Sequence, residues 1–268
     1  MSSRTCSLCG TGNWRHSIPF TRETLCDSCF RRRFLERVRR TLNKLKLLNI
    51  ESKLLLGVSG SCESLAMAKA IWKLESKYKG VQLSFVHVSR WDDHKEEEAI
   101  AGTFEKLGLP LNLLRTIQLK ERFGFNLPDL VKDGIVSERE LCSACQSLVS
   151  GALTIEAVRS GADILVCGDS ADELAEEALS LLCVGRFGRM DVKKELLDGT
   201  IWCIRPLSHV LRTEAESFLD SYGIHAKYSC PYRGLRRREF AGSLKAIEEK
   251  HPGSVFSTLK SLLDLARS

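Results

Sequence analysis

The feature that most constrains the fold is a regular alternation of short apolar runs and amphipathic stretches of helical length. The apolar runs are residues 54–58, 81–88, 113–119, 164–167 and 201–204. The stretches between and after them are residues 63–75, 96–107, 146–160, 172–184 and 212–222. Buried strands that alternate with helices form right-handed crossovers. The sequence therefore predicts an α/β fold, a doubly wound and largely parallel sheet with helices on both faces.

Four cysteines in two C-x-x-C pairs stand near the start of the chain. They are Cys6, Cys9, Cys26 and Cys29. Each pair can present two thiolates to one tetrahedral ion, which predicts a small N-terminal zinc module. Such a module has too little core to fold alone, so the metal would supply folding free energy. Buried thiols without metal are the alternative, and His16 is a competing but unneeded ligand.

Composition limits the class of protein. The chain has 268 residues, of which 43% are hydrophobic and 28% charged, so a disordered segment is excluded. The first residues lack the apolar region of a signal peptide, and no uninterrupted apolar run approaches the roughly 18 residues of a membrane span. We expect a cytoplasmic protein without membrane contact. Eleven cysteines in that reducing compartment favour metal binding over disulfides.

Positive charge is clustered, although Lys and Arg outnumber Asp and Glu by only 40 to 34. The residues predicted to contact RNA phosphates are Arg31, Arg32, Arg33, Arg236, Arg237 and Arg238. Such clusters suit a phosphate backbone. Solvated helix faces are the alternative for each cluster.

The expected organisation has four parts. Residues 1–30 form the zinc module, 31–50 a basic linker helix, 51–232 the α/β domain and 233–268 a basic C-terminal helical segment. Residues 123–140 form a long connection that we expect to be functional or mobile.

A candidate phosphate-binding turn follows the first predicted strand of the α/β domain. It consists of Ser59, Gly60, Ser61, Cys62, Glu63 and Ser64. The start of a helix after a parallel strand binds anions, because its backbone N–H groups point outward. An ordinary strand-to-helix turn is the alternative, since the loop has one glycine and no lysine.

Further cysteines divide into two sets. Cys142 and Cys145 form a further C-x-x-C pair, and the distant Cys230 precedes Pro231, a set whose spacing alone assigns no ligand. Cys167, Cys183 and Cys203 fall in predicted core elements, where burial as small hydrophobic residues is expected.

These motifs carry a resemblance. The N-terminal cysteine pairs, the strand ending in V-S-G, the later C-x-x-C and the C-P-Y at residues 230–232 resemble the tRNA 2-thiolation family of PP-loop ATPases. The resemblance implies an adenine-nucleotide alpha-hydrolase-like fold of PP-loop type. It implies an iron–sulfur cluster, of 4Fe-4S type, on Cys142, Cys145 and Cys230, for which zinc with a fourth ligand or water, or no metal at all, are the alternatives. It assigns nucleotide binding to Ser59, Gly60, Ser61, Ser64 and Asp172.

The chain departs from the active members of that family. Their loop reads S-G-G-K-D-S, whereas Ser61, Cys62 and Glu63 stand here in place of glycine, lysine and aspartate. Their G-H-N motif is replaced by Gly168-Asp169-Ser170. We therefore expect no adenylation by this loop. A run of matches from Gly168 to Glu214, which departs at Phe187, resembles the degenerate partner subunit of the eukaryotic heterodimer.

The resemblance implies a non-catalytic subunit for 2-thiolation of the wobble uridine in tRNA Lys, Glu and Gln. Such a subunit would pair with a catalytic PP-loop subunit and bind tRNA, while the catalytic subunit takes sulfur from a ubiquitin-like carrier. An active iron–sulfur-dependent tRNA thiolase using ATP is the alternative. The second alternative is a zinc-containing RNA-binding module without a thiolation role.

Overall fold

The strands form a small hairpin and a large central sheet. The structure, a computed structural model, describes residues 5–91, 94–138, 140–186, 191–225 and 240–267. Its strands are β1 (His16–Ile18), β2 (Glu23–Leu25), β3 (Lys53–Gly57), β4 (Gln82–Ser89), β5 (Leu114–Gln118), β6 (Ile164–Val166), β7 (Lys193–Leu196) and β8 (Ile201–Ile204). Strands β1 and β2 pair as an antiparallel hairpin. The other six form one sheet in the order β5-β4-β3-β6-β8-β7, which is parallel except for β7.

Helices cover both faces of this sheet. They are α1 (Asp27–Leu45), α2 (Cys62–Glu75), α3 (Lys95–Leu107), α4 (Leu119–Phe123), α5 (Leu127–Lys132), α6 (Leu141–Ser160), α7 (Ala171–Cys183), α8 (Arg212–Asp220), α9 (Ala241–Lys250) and α10 (Ser254–Arg267). Leu54 and Leu56 belong to the apolar cluster that includes α1, α2 and α8, whereas Leu55 belongs to a cluster with α6. Alternate strand residues thus face opposite layers. The predicted doubly wound α/β fold is confirmed.

The structure adds elements that the apolar pattern did not predict. Strand β7 is an edge strand that contains two lysines and a glutamate. Charged residues protect a sheet edge from pairing with another strand. Because β7 is not an apolar run, the apolar pattern did not predict it. The predicted long connection at residues 123–140 contains α5, whose start is fixed by a capping box between Asn126 and Asp129.

Helix α1 packs closely on the α/β domain. The Phe34 ring stacks on Phe218 of α8 with the ring centroids 4.0 Å apart. Phe30, Phe34 and Val38 are buried in the same cluster as the strand residues of β3. The buried side chains of α1 therefore join the N-terminal module to the main hydrophobic core. The predicted division into four parts remains a prediction.

Helix α6 is apolar over most of its length. Among the described helices it is the one long and apolar enough to cross a membrane, by length and composition only, although no apolar run of that length was expected from the sequence. On its packed side Glu156 forms ion pairs with Arg115 at 2.6 Å and Arg122 at 3.1 Å. These pairs connect α6 to β5 and α4.

Candidate nucleotide and metal sites

The candidate phosphate loop lies at the point where the order of the strands reverses. Strand β3 pairs with β4 on one side and with β6 on the other, so the chain leaves β3 toward one edge and later returns beside it. The loop from Ser59 to Ser64 follows the carboxyl end of β3. Gly60 adopts a φ of +80°, a conformation that favours glycine. Ligands of doubly wound sheets bind at such a switch point.

Serine hydroxyls of this loop occupy its own backbone donors. The Ser59 N–H donates to Ser64 Oγ at 3.1 Å, and the Ser61 N–H lies 3.4 Å from Ser59 Oγ. Ser61 caps helix α2, because its Oγ accepts the Ser64 N–H at 3.2 Å. These are N–H groups of the kind that cradle a phosphate. An incoming phosphate would have to displace the hydroxyls.

Cys62 occupies the position of the family's lysine and carries no compensating charge. Its side chain is buried, and its Sγ donates to Glu63 Oε2 at 3.1 Å. Burial and the neighbouring Glu63 raise the pKa of the Cys62 thiol. The thiol is therefore neutral at physiological pH.

The cation beside this loop comes from another element. Arg212, the first residue of α8, has its guanidinium 3.1 Å from Glu63, a carboxylate that is 1% exposed. The same guanidinium also lies 3.1 Å from Glu216. The positive charge next to the loop is thus held by two carboxylates. Arg212 and Glu216 were not predicted, because their four-residue spacing marks one face of a helix but cannot place that helix beside β3.

Asp172 joins the same site through Arg212. The Arg212 backbone N–H donates to Asp172 Oδ1 at 2.8 Å, and Ser170 Oγ donates to Asp172 Oδ2 at 3.2 Å. Burial raises the pKa of the Asp172 carboxyl, against these hydrogen bonds. The structure therefore brings Asp172 and the loop from Ser59 to Ser64 together around Arg212.

Gly168 allows this arrangement. A Cβ at Gly168 would lie 2.7 Å from Ser64 Cα and 3.0 Å from Ser64 N. No side chain fits that gap without movement of the backbone. The loop after β6 can therefore touch the start of α2 only because residue 168 is glycine.

The four N-terminal cysteines come together as predicted. The Sγ atoms of Cys6, Cys9, Cys26 and Cys29 all lie within 4.8 Å of one another. The Cys9 and Cys26 sulfurs are 3.7 Å apart. A tetrahedral zinc ion with bonds of about 2.3 Å separates its sulfur ligands by about 3.8 Å. The donor set and its spacing therefore fit one metal ion.

Local structure favours the thiolate form at Cys26 but not at Cys29, where burial and hydrogen bonds with the other cysteines raise the pKa to about 12. Cys26 precedes α1 as its N-cap, and hydrogen bonds from the Ser28 hydroxyl and the Cys29 backbone N–H lower the pKa of the Cys26 thiol to about 6. His16 is not part of the cluster, because its Nε2 lies 2.7 Å from Asp27 Oδ1 and its ring stacks on Phe30. The competing ligand considered from the sequence is therefore engaged elsewhere.

The second C-x-x-C pair lies on the first turn of α6. The structure begins this helix at Leu141, five residues before the predicted start, so Cys142 and Cys145 share one helix face. Both are half-buried. Cys145 packs against a cluster with Val88 and Leu119, at the carboxyl ends of β4 and β5. This is the sheet edge that bears the phosphate loop. Cys230, the third predicted ligand, lies outside the described residues.

The remaining cysteines and the predicted RNA-binding arginines do not all lie where the sequence predicted. Cys203 is buried, Cys167 is half-buried, and Cys183 at the end of α7 is exposed, which corrects the expectation that all three are buried in the core. Of the basic residues on α1, Arg31 donates to the Ser221 carbonyl and Arg33 pairs with Glu23 at 2.7 Å, whereas Arg32 is exposed. Arg236, Arg237, Arg238 and Phe187 lie outside the described residues.

Curated proteins resemble the chain over most of its length. Cytoplasmic tRNA 2-thiolation protein 1 of Chlamydomonas reinhardtii is 24% identical and aligns with 98% of this chain and 75% of its own. The tRNA-5-methyluridine(54) 2-sulfurtransferase of Pyrococcus horikoshii is 25% identical, with coverages of 92% and 78%. The Arabidopsis thaliana tRNA 2-thiolation protein 1 is 24% identical, with coverages of 97% and 75%. No protein-family model matches.

Solved structures share the fold. The U34-tRNA thiolase NcsA of Methanococcus maripaludis, determined with its [4Fe-4S] cluster, superposes with a TM-score of 0.82 at 22% identity, covering 100% of this chain and 88% of its own. NMN synthetase of Francisella tularensis superposes with a TM-score of 0.52 at 12% identity, covering 90% of this chain and 94% of its own. These likenesses support the fold alone.

The comparisons confirm the broader resemblance and change the finer one. The chain is similar to tRNA 2-thiolation proteins, as its motifs predicted. However, the eukaryotic relatives reported above are protein 1, whereas the motifs predicted a resemblance to the degenerate partner, protein 2. The names of these relatives therefore favour the sequence alternative of a thiolase over a non-catalytic subunit.

Proposed function

We propose that this chain is an iron–sulfur-dependent tRNA 2-thiolation enzyme that acts on the wobble uridine of tRNA Lys, Glu and Gln. The observation that carries the proposal is similarity over almost the whole chain to tRNA 2-thiolation proteins. The cysteines Cys142, Cys145 and Cys230, which resemble the cluster-binding motif of that family, support it. The names of the eukaryotic relatives support a cytoplasmic location.

The cysteine set suits the chemistry. Cys142, Cys145 and Cys230 are the residues that would hold a [4Fe-4S] cluster. Three thiolates leave one iron of such a cluster without a protein ligand, where sulfur can bind. Cys145 lies at the sheet edge that bears the phosphate loop, which suits a uridine activated there and thiolated nearby.

The remaining parts of the chain have supporting roles in this proposal. The N-terminal cysteines hold structural zinc, since four thiolates leave no open position on the ion. The basic clusters contact tRNA phosphates, which position RNA without reading its sequence. A ubiquitin-like protein delivers the sulfur.

Metal analysis of the anaerobically purified full chain tests the cluster assignment. We expect about four iron and four acid-labile sulfide per chain, as in a [4Fe-4S] centre, and one zinc. Cys145→Ser should lose the iron and keep the zinc, whereas Cys26→Ser should lose the zinc. The exposed Cys183→Ser is the matched control and should keep both. Wild-type protein without iron after anaerobic reconstitution would exclude the assignment.

A second candidate is the non-catalytic subunit that pairs with a catalytic PP-loop subunit. The phosphate loop favours it, because Cys62 supplies no charge and the serine hydroxyls occupy backbone donors. In this case the chain would bind tRNA while its partner consumes ATP.

Pyrophosphate release from ATP separates the two candidates. The enzyme should release pyrophosphate in the presence of tRNA, contrary to the expectation of no adenylation that the loop substitutions gave, and Ser64→Ala should abolish the signal. A non-catalytic subunit should release none. If the wild type releases none, Cys62→Lys should not produce pyrophosphate release, because an ammonium group at this buried position would pair with Glu63 and Glu216.

A further inference from the structure

Two thiols meet at the carboxyl end of neighbouring strands, apart from both metal-ligand sets. Cys203 lies in β8, and Cys167 follows the last residue of β6. The two strands are parallel neighbours, with Val166 opposite Ile204. The Cys167 and Cys203 sulfurs lie 3.8 Å apart, in direct contact.

The surroundings of this pair favour a thiolate on Cys203, whereas the hydrogen bond with Cys203 and burial raise the pKa of the Cys167 thiol well above its ordinary value. The hydrogen bond from Cys167 lowers the pKa of the Cys203 thiol, burial opposes the shift, and the Arg205 guanidinium adds to the lowering. Arg205 also forms an ion pair with Asp169 at 3.0 Å. A thiolate is the form of cysteine that attacks a disulfide bond.

The two thiols differ in access. Cys203 is 7% exposed, whereas Cys167 is half-buried and borders solvent. Cys167 is therefore the more accessible of the two thiols, where a small disulfide would first react. Redox-sensitive pairs place a resolving thiol beside an accessible one; in this pair the lowered pKa belongs to the buried, resolving thiol.

We propose that Cys167 and Cys203 are a modification site that closes into a reversible disulfide when a low-molecular-weight disulfide is present. Cys167 attacks one sulfur of the small disulfide, loses its proton and releases one small thiolate. The Cys203 thiolate then attacks the Cys167 sulfur and releases the second small thiolate. The pair loses two electrons and two protons, and the small disulfide becomes two thiols.

The bridge would form directly behind the candidate phosphate loop. Cys167 precedes Gly168, and Gly168 lies against the backbone of Ser64. Closing the bridge ties the end of β6 to β8 at the residue that precedes this contact. The modification therefore connects cellular thiol chemistry to the loop without touching either set of metal ligands.

Peptide mapping of the full chain tests this proposal. Wild-type protein is equilibrated anaerobically with mixtures of reduced and oxidised glutathione, alkylated in acid-quenched samples and digested with trypsin. Cys167 lies in peptide 160–186 and Cys203 in peptide 195–212. We expect these two peptides to become linked as the oxidised fraction rises, and to separate again with dithiothreitol.

Variants assign the link to the two thiols. Cys167→Ser should abolish it, whereas Cys183→Ser, which removes the exposed cysteine on peptide 160–186, should leave it unchanged. Two results would overturn the proposal. One is a persistent glutathione adduct on Cys167 with no disulfide between Cys167 and Cys203. The other is complete alkylation of Cys167 and Cys203 under conditions in which the exposed Cys183 has already formed a glutathione adduct. The wild-type map decides the matter even if a variant fails to fold.

Discussion

At the scale of single residues, the candidate site depends on the absence of a side chain at Gly168. A Cβ there would lie 2.7 Å from the Ser64 Cα, and both partners of this contact are backbone. We expect Gly168→Ala to lower the free energy of unfolding by about 1–3 kcal/mol, the usual cost of overpacking. Chemical denaturation of the wild type and the variant measures this difference in the free energy of unfolding.

Gly151→Ala is the control for this substitution. Gly151 lies within α6, and the atom nearest to a methyl group added there would be Phe123 Cζ at 3.9 Å, an ordinary contact. Alanine is favoured over glycine in a helix by roughly 0.5–1 kcal/mol, so this variant should be neutral or more stable. Equal losses in both variants would show that the Gly168 contact has no special role.

The loop substitutions also belong to this scale. The sequence predicted the loss of charge at Cys62, because a residue's chemistry can be read directly. It could not predict that Arg212 approaches Glu63 at 3.1 Å, since the two residues are far apart in the chain and meet only through the folded sheet. Likewise, the cap that Ser61 forms on α2 requires the observed loop geometry.

At the scale of elements, the N-terminal module depends on its metal. The β1–β2 hairpin is short, with three residues in each strand, and its cysteines meet at the start of α1. Since metal binding supplies the folding free energy of such modules, we expect a chelator to lower the melting temperature and expose the apolar face of α1. Calorimetry with and without chelator measures this.

Cys26→Ser should reproduce the effect of the chelator. The matched control is Cys183→Ser, which removes an exposed thiol outside the cluster. A Cys26→Ser protein that kept one zinc per chain and an unchanged melting profile would contradict a structural zinc site.

The sequence predicted elements well where apolar residues repeat. Strand β8 was placed at its observed bounds, and α2 and α3 within one residue of theirs. The edge strand β7 was missed because its residues are mostly charged and solvated. The start of α6 was missed because residues 141–145 were interpreted as a cysteine motif rather than as the first turn of a helix.

At the scale of the whole molecule, a formal net charge of +6 suits binding to RNA phosphates. On α1, Arg32 is exposed while Arg31 and Arg33 have partners within the chain, so the C-terminal arginines are the better test. Reversing the charge of Arg236, Arg237 and Arg238 should weaken all tRNAs alike. The slope of log affinity against log salt should flatten by roughly one per lost contact.

The control for this triple variant reverses charge elsewhere. Lys73, Lys77 and Lys79 are exposed near the end of α2, outside both predicted RNA-binding clusters. Their reversal changes the net charge equally and should leave the salt slope unchanged. Identical slopes for the arginine variant and the wild type, with folding intact, would remove the arginines from the RNA interface.

The most direct test of the proposed activity is the 2-thiouridine content of tRNA. Unmodified tRNA Lys is incubated anaerobically with the reconstituted full chain, ATP, magnesium and sulfide. The tRNA is then digested to nucleosides, which are separated and identified by mass spectrometry. We predict 2-thiouridine with the wild type, none with Cys145→Ser and an undiminished yield with Cys183→Ser. Unthiolated tRNA after incubation with wild-type protein that carries its full complement of iron and sulfide would contradict the proposal.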